Sequence, residues 1–181
     1  MSHGQFKSLE FYVSTYSVEG NIGKQTAIIF FVICILGNII NVIMEEGIFR
    51  GLFQKLFEQK YNFLLSAILS SLLFGFWHVV APLRSYYDGT ISFEEMFINI
   101  IILVVTSTLV GFKFSMMTKL TGNLYMSMGD HFVNNTIINV LHIVSKDGSI
   151  DKLLVMRISI AQTLSFLIVL IYFKLSKNEC S

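Results

Sequence analysis

The sequence predicts an all-α protein, a polytopic membrane helix bundle with about five spanning helices, and three observations carry that reading. Hydrophobic residues make up 54% of the 181-residue chain and charged residues only 14%, with a mean hydropathy of +0.66. A water-soluble domain of this size carries about 25% charge, so much of this surface must face lipid. Apolar runs near residues 26–44, 62–82, 97–118, 124–144 and 153–173 are each about 20 residues, the length of helix that crosses roughly 30 Å of hydrocarbon. None of them alternates like a barrel strand, and an open strand in lipid would leave backbone groups unpaired.

Taken in order, residues 1–25 form a polar segment without the apolar core and small-residue cleavage site of a signal peptide. Within it, 5–20 (QFKSLEFYVSTYSVEG) mixes aromatic and polar groups and suits the membrane interface. Residues 26–175 form one membrane domain and 176–181 a polar tail. The first run continues beyond Met44, because Ile48, Leu52 and Leu56, and Phe49, Phe53 and Phe57, keep i+4 spacing. A long helix projecting past the bilayer is expected. Turns fall near 58–61 and 119–123, and the one long loop is 83–96.

Charge excludes some functions and says little about orientation. A net charge of +1 offers no attraction to nucleic acid. Placing the 50–60 loop, the 113–121 loop and the tail in the cytoplasm puts seven Lys and Arg there, against five on the other side and Arg157 within the last span. That margin is thin for a positive-inside argument. Cys34 and Cys180 have no local partners and read as free thiols.

Ionisable groups inside spans cost about 2.5–3.5 kcal/mol each on insertion scales, so they collect where they face an interior cavity. Here they form three strings. Glu45 and Glu46 follow the charge-free run 26–44, and Arg50 lies one turn beyond Glu46, which lets Glu46 and Arg50 pair on one face. Neighbouring helix positions differ by about 100°, so Glu45 then points elsewhere, with no partner on its own helix. His78 sits in FGFWHVV, one turn after Phe74 and beside Trp77, and an imidazole there needs a hydrogen-bond partner. In GDHFVNN, His131 and Asn135 share a helical face, continued approximately by Asn139 and His142. Counting about 1.5 Å per residue from the turns puts Glu45, His78 and His131 at similar depth.

A carboxylate with two imidazoles in a partly dry cavity can activate water against a carbonyl, with nearby donors holding the oxyanion. Peptide hydrolysis is the simplest reaction with those needs. Serine chemistry fits less well, since Ser66, Ser70, Ser71 and Ser107 occupy neither a GxSxG-like turn nor an SxxK string. No HExxH zinc motif occurs. Glu45, His78 and His131 could supply three zinc ligands with water as the fourth, but the metal would then need a separate base, which only Glu46 could provide by leaving Arg50. The balance favours a site with no cofactor.

The three strings resemble the motifs of the CPBP family, the CAAX proteases and bacteriocin-processing enzymes also grouped as Abi proteins. EExxxR is matched by Glu45, Glu46 and Arg50, FxxxH by Phe74 and His78, and HxxxN by His131 and Asn135. The stretch LTGNLYMSMGDH at 120–131 is similar to the turn before the last motif, and the resemblance covers about residues 30–140. It implies that Glu45 is the base that activates water and that His78 assists that water or its proton transfer. It also implies that His131 and Asn135 bind the oxyanion, while Glu46 and Arg50 brace the site.

The expected function is therefore an intramembrane endopeptidase acting on a membrane-associated or lipidated peptide or protein, in a multi-pass bacterial plasma-membrane protein. Its expected partners are that substrate and membrane lipid. The alternative is a non-catalytic bacteriocin self-immunity or peptide-binding protein that keeps the polar cluster only for helix packing. A small transporter fits less well, because neither a broken helix nor an inverted repeat is evident.

Overall fold

A computed structural model describes residues 6–16, 22–145 and 154–178 of the chain. Among these, four helices are long and apolar enough to cross a membrane: Ile28–Glu58, Phe63–Tyr87, Phe93–Thr121 and Met156–Ser176. The protein is a membrane helix bundle, as its composition implies. Contacts divide it into two compact units, Met1–Met44 with Gly129–Leu154, and Glu45–Met128 with Val155–Ser181.

The expected long first helix forms. It begins as α1 (Ile28–Glu46), passes through a π-helical segment (Gly47–Phe53) and ends as α2 (Gln54–Glu58). Its 31 residues reach about 45 Å, well beyond a hydrocarbon core of about 30 Å. The π segment was not legible in the i+4 pattern. There the backbone N–H of Gln54 bonds the carbonyl of Phe49, five residues back, and that carbonyl also accepts the Ser70 hydroxyl at 2.5 Å. Ser70 thus anchors the widened turn to the next helix.

That helix, α3 (Phe63–Trp77), starts where the Asn62 side chain accepts the Leu65 N–H. It ends at His78, and α4 (Val80–Tyr87) follows after a short turn. Pro82, the single proline, explains the break. A proline has no N–H to offer the carbonyl four residues earlier, and its ring crowds that carbonyl, here His78's. The His78 and Val79 N–H groups instead bond the carbonyls of Gly75 and Phe76, three residues back.

The loop expected at 83–96 is shorter. Helix α4 runs to Tyr87, and α5 (Phe93–Thr121) starts at a capping box in which Ser92 and Glu95 bond each other's backbone N–H. The S-x-x-E spacing carries that start signal. Helix α5 ends on Gly122, whose φ of 72° is the left-handed cap that glycine adopts without strain. The expected 113–121 loop is therefore helix, and Lys113 is fully buried within it. Its ammonium donates to Gln162 Oε1 and Ser165 Oγ, each at 3.1 Å, on α7 (Leu154–Asn178).

Two cations counted as loop residues in the orientation argument, Arg50 and Lys113, are fully buried in helix. Removing them from the seven leaves five on each side. The positive-inside margin disappears.

Helices α3 and α5 cross closely because small residues line both faces. Ser66, Ala67, Ser70, Ser71 and Gly75 on α3, and Ser107, Gly111 and Ser115 on α5, are buried. Without a hydrophobic drive between helices in lipid, close backbone approach is what yields packing energy. A Cβ on Gly75 would collide with Thr108 Oγ1 and lie 2.8 Å from the Val104 carbonyl oxygen. Gly75→Ala is accordingly expected to cost about 1–3 kcal/mol, the usual penalty of overpacking, read as a lowered unfolding midpoint in detergent. Gly37→Ala, with nothing within 4 Å of its Cβ, should leave the midpoint unchanged or raise it slightly. Equal effects at both positions would refute the close-crossing argument.

The other unit contains the main departure from expectation. The run 124–144 does not form a full spanning helix. Helix α6 covers only Tyr125–Val140, 16 residues, and Leu141–Ser145 is strand β4. Asp130, His131, Asn134, Asn135 and Asn139 lower its hydropathy, and the following β-branched residues pair better as strand. Strand β4 runs antiparallel to β1 (Phe6–Phe11), with Glu10 opposite His142. Strands β2 (Val13–Tyr16) and β3 (Ile22–Gln25) pair antiparallel in a second two-stranded sheet. The described part of the segment expected at the interface is thus largely strand, and its residues 5 and 17–20 lie outside the described ones.

His142 consequently leaves the helical stripe. Its ring stacks on Tyr12 at 4.0 Å between centroids, and Nε2 donates to the Tyr12 carbonyl at 3.0 Å. Lys24 Nζ lies 2.8 Å from Glu10 Oε2, and that carboxylate holds the lysine amine above its ordinary value. Cys34 is a free thiol, and Cys180 lies outside the described residues.

Candidate active site

Of the residues singled out from sequence, Glu45, Glu46, Arg50 and His78 belong to one unit, and His131 and Asn135 to the other. In the first unit the Glu46–Arg50 pair forms as the spacing demands. Arg50 Nη1 donates to Glu46 Oε1 at 3.0 Å, and both side chains are fully buried.

Arg50 is held by more than its carboxylate. Its guanidinium carbon lies 4.3 Å from the ring centre of Phe74, 5.2 Å from Phe114 and 5.9 Å from Phe49. A planar, weakly hydrated cation suits such an aromatic cage. Gly111 makes room for it, since a Cβ there would lie 2.8 Å from Arg50 Nη2 and 3.1 Å from Ser71. Phe49, Phe74, Val110, Phe114 and Met117 form the buried apolar cluster around this centre.

Phe74 connects the cation to the imidazole. Its ring meets His78 edge to face at 4.7 Å, and its carbonyl bonds His78 Nδ1 at 2.8 Å. A carbonyl oxygen only accepts, so Nδ1 carries a proton, which in a neutral ring leaves Nε2 as the lone-pair nitrogen. The four-residue F-x-x-x-H spacing thus has two physical results. It brings the two rings edge to face and it places a proton on Nδ1.

Glu45 is 6% exposed. As its angular offset from Glu46 predicts, it turns away from Arg50's partner and meets α3: Trp77 Nε1 donates to Glu45 Oε1 at 3.3 Å. Sequence reasoning noted Trp77 only as a neighbour of His78. Its indole N–H, a donor that must find an acceptor in apolar surroundings, was the available signal.

In the other unit His131 is 4% exposed and Asn135 is half-buried on α6. The same face continues through Asn139, whose amide donates to Asn38 Oδ1 at 2.9 Å. Asn38, buried on α1, donates in turn to Thr136 Oγ1 at 3.3 Å. The polar stripe therefore fastens α6 to α1, and Asn38 is a member that the sequence did not single out.

Among the described residues, no group of three or more His, Cys, Asp or Glu side chains is placed to hold a metal ion. A family model described as Rce1-like, type II CAAX prenyl endopeptidase Rce1-like, matches residues 27–137, more than half of the chain. The chain belongs to this family. Comparison with curated proteins and with solved structures gave no match.

The resemblance read from the three motifs therefore holds, and all of Glu45, Glu46, Arg50, Phe74, His78, His131 and Asn135 fall in the Rce1-like stretch. The Rce1-like family is one of CAAX endopeptidases, which makes this chain a multi-pass membrane protease in general terms. Strand β4 and helix α7 lie beyond the matched residues.

Proposed function

We propose that this protein hydrolyses a peptide bond of a membrane-associated, lipidated peptide with water activated by Glu45, without a metal, in a bacterial plasma membrane. The observation that supports this most is the division of labour between adjacent carboxylates. Glu46 is engaged by Arg50, while Glu45 faces α3, the helix that carries His78 at its end.

In the reaction Glu45 takes a proton from water as the oxygen attacks the carbonyl carbon. His78 assists that water or the passage of its proton, through Nε2 when the ring is neutral. The tetrahedral oxyanion then collapses, the C–N bond breaks, and the proton goes to the departing amine. His131 and Asn135 take the part that the family resemblance gives them, donors to the oxyanion. Glu46 and Arg50 brace the helix that carries Glu45.

The test is cleavage of a farnesylated peptide ending in a CAAX sequence by the protein in proteoliposomes. His78→Ala is expected to lower kcat/KM by about 10²-fold or more, the usual worth of a positioned proton-transfer group. His131→Ala and Asn135→Ala should each lower kcat by about 10²-fold, the usual loss of an oxyanion donor. A strong chelator should leave the wild-type rate unchanged, and its abolition by chelator would replace the glutamate mechanism with a metal-dependent one. Absence of cleavage, with toxin protection that survives Glu45→Gln in cells, would make the protein a binding or immunity protein.

A further inference from the structure

We propose that Trp77 is a positioning residue for Glu45, acting through its indole N–H. The proposal rests on the reading of Glu45 as the water-activating base. Three observations carry it.

The first is the bond itself, from Trp77 Nε1 to Glu45 Oε1 at 3.3 Å. The indole has one donor and no acceptor, and Glu45 is 6% exposed. At a buried carboxylate a directional N–H donor restricts how the group can turn.

The second is where Trp77 sits. It is the last residue of α3, and His78 caps that helix before the break imposed by Pro82. Consecutive residues thus deliver the donor that holds Glu45 and the imidazole whose Nδ1 proton the Phe74 carbonyl accepts. One rigid stretch of backbone fixes the position of His78 and the orientation of Glu45 together.

The third is that the ring does not need this bond in order to pack. Trp77 is 52% exposed, so its apolar body lies on the outside while its N–H turns inward to the carboxylate.

Trp77 is the only tryptophan in the chain, which allows a test at single-atom level. Benzothienylalanine supplied to a tryptophan auxotroph replaces this residue alone, putting sulfur in place of N–H with nearly the same shape. In proteoliposomes, with the farnesylated CAAX peptide as probe, the replaced protein is expected to lose about 10-fold or more in kcat. KM should stay unchanged, and the unfolding midpoint should fall by no more than the loss of one hydrogen bond. Trp77→Phe should lose as much, and in the Glu45→Gln background the replacement should cost nothing further, because the two groups act as one unit.

Independently of any substrate, the Raman band of the indole N–H should report a hydrogen bond in the wild type and lose it in Glu45→Ala. Unchanged kcat on benzothienylalanine replacement, or a band indifferent to Glu45→Ala, overturns the proposal. A band that responds to Glu45 in a protein that cleaves nothing overturns the proteolytic reading, and with it the positioning role, while leaving the bond intact.

Discussion

Glu45→Gln is expected to lower cleavage of the farnesylated peptide by about 10²–10⁴-fold, the range for removing a positioned general base, with the protein still inserted and folded. Glutamine keeps the shape and a carbonyl oxygen that can accept the Trp77 N–H, so the arrangement at 3.3 Å survives the substitution. What it removes is the ability to take a proton from water. The loss should fall on kcat and leave KM nearly unchanged, because the base acts on water in the transition state. Glu46→Gln provides the contrast within the same motif. That side chain is fully buried against Arg50, so its substitution should act first on stability, and any loss of activity should follow the loss of folded protein. Glu45→Gln enzyme that cleaves at the wild-type rate would remove the glutamate mechanism. A Glu46→Gln protein that is fully stable yet inactive would exchange the roles of the two carboxylates.

Much of this was legible because lipid restricts the alternatives. The i+4 runs through Phe57 predicted the long first helix, and Ile28–Glu58 is that helix. The spacing of Glu46 and Arg50 predicted their pair, and the 100° offset predicted that Glu45 would point elsewhere, whereas its bond to Trp77 lay outside that expectation. The elements that were misread all involve tertiary partners. The π turn at 47–53 depends on Ser70 reaching the Phe49 carbonyl, which no local pattern records. The helix through Lys113 depends on Gln162 and Ser165, some fifty residues later, accepting from an ammonium that would otherwise read as a loop cation. The short α6 depends on β1, whose pairing with 141–145 competes with continuation of a helix that looks apolar enough in sequence. Within the candidate site, the family strings gave the positions of the residues proposed to act but not what holds them. The aromatic cage of Arg50, the space left by Gly111 and the donor from Trp77 are distances between helices.

The largest expected stability effect is at Arg50. Arg50→Ala leaves Glu46 as a buried charge deprived of its cation and opens a cavity among Phe49, Phe74 and Phe114. Breaking a buried ion pair from one side costs about 3–5 kcal/mol, a large fraction of the stability of a small domain. Arg50→Lys should recover only part of this, since an ammonium lacks the planar fork that lies against the rings at 4.3 and 5.2 Å. The informative protein is the double variant Glu46→Leu with Arg50→Met. It removes both charges and refills the cage with an apolar side chain, and such replacements are commonly neutral or stabilising. Unfolding free energies measured by steric trapping in bicelles should therefore rank wild type and double variant together, with Arg50→Ala far below. An Arg50→Ala cost under about 1 kcal/mol would mean that the pair is not a brace. Cleavage by the double variant then completes the argument. Phe74 contacts both Arg50 and His78, so a cage refilled without charge should keep the imidazole in place and restore most of the activity. A stable double variant with no activity would show that the charges themselves, and not the packing they organise, take part in the chemistry.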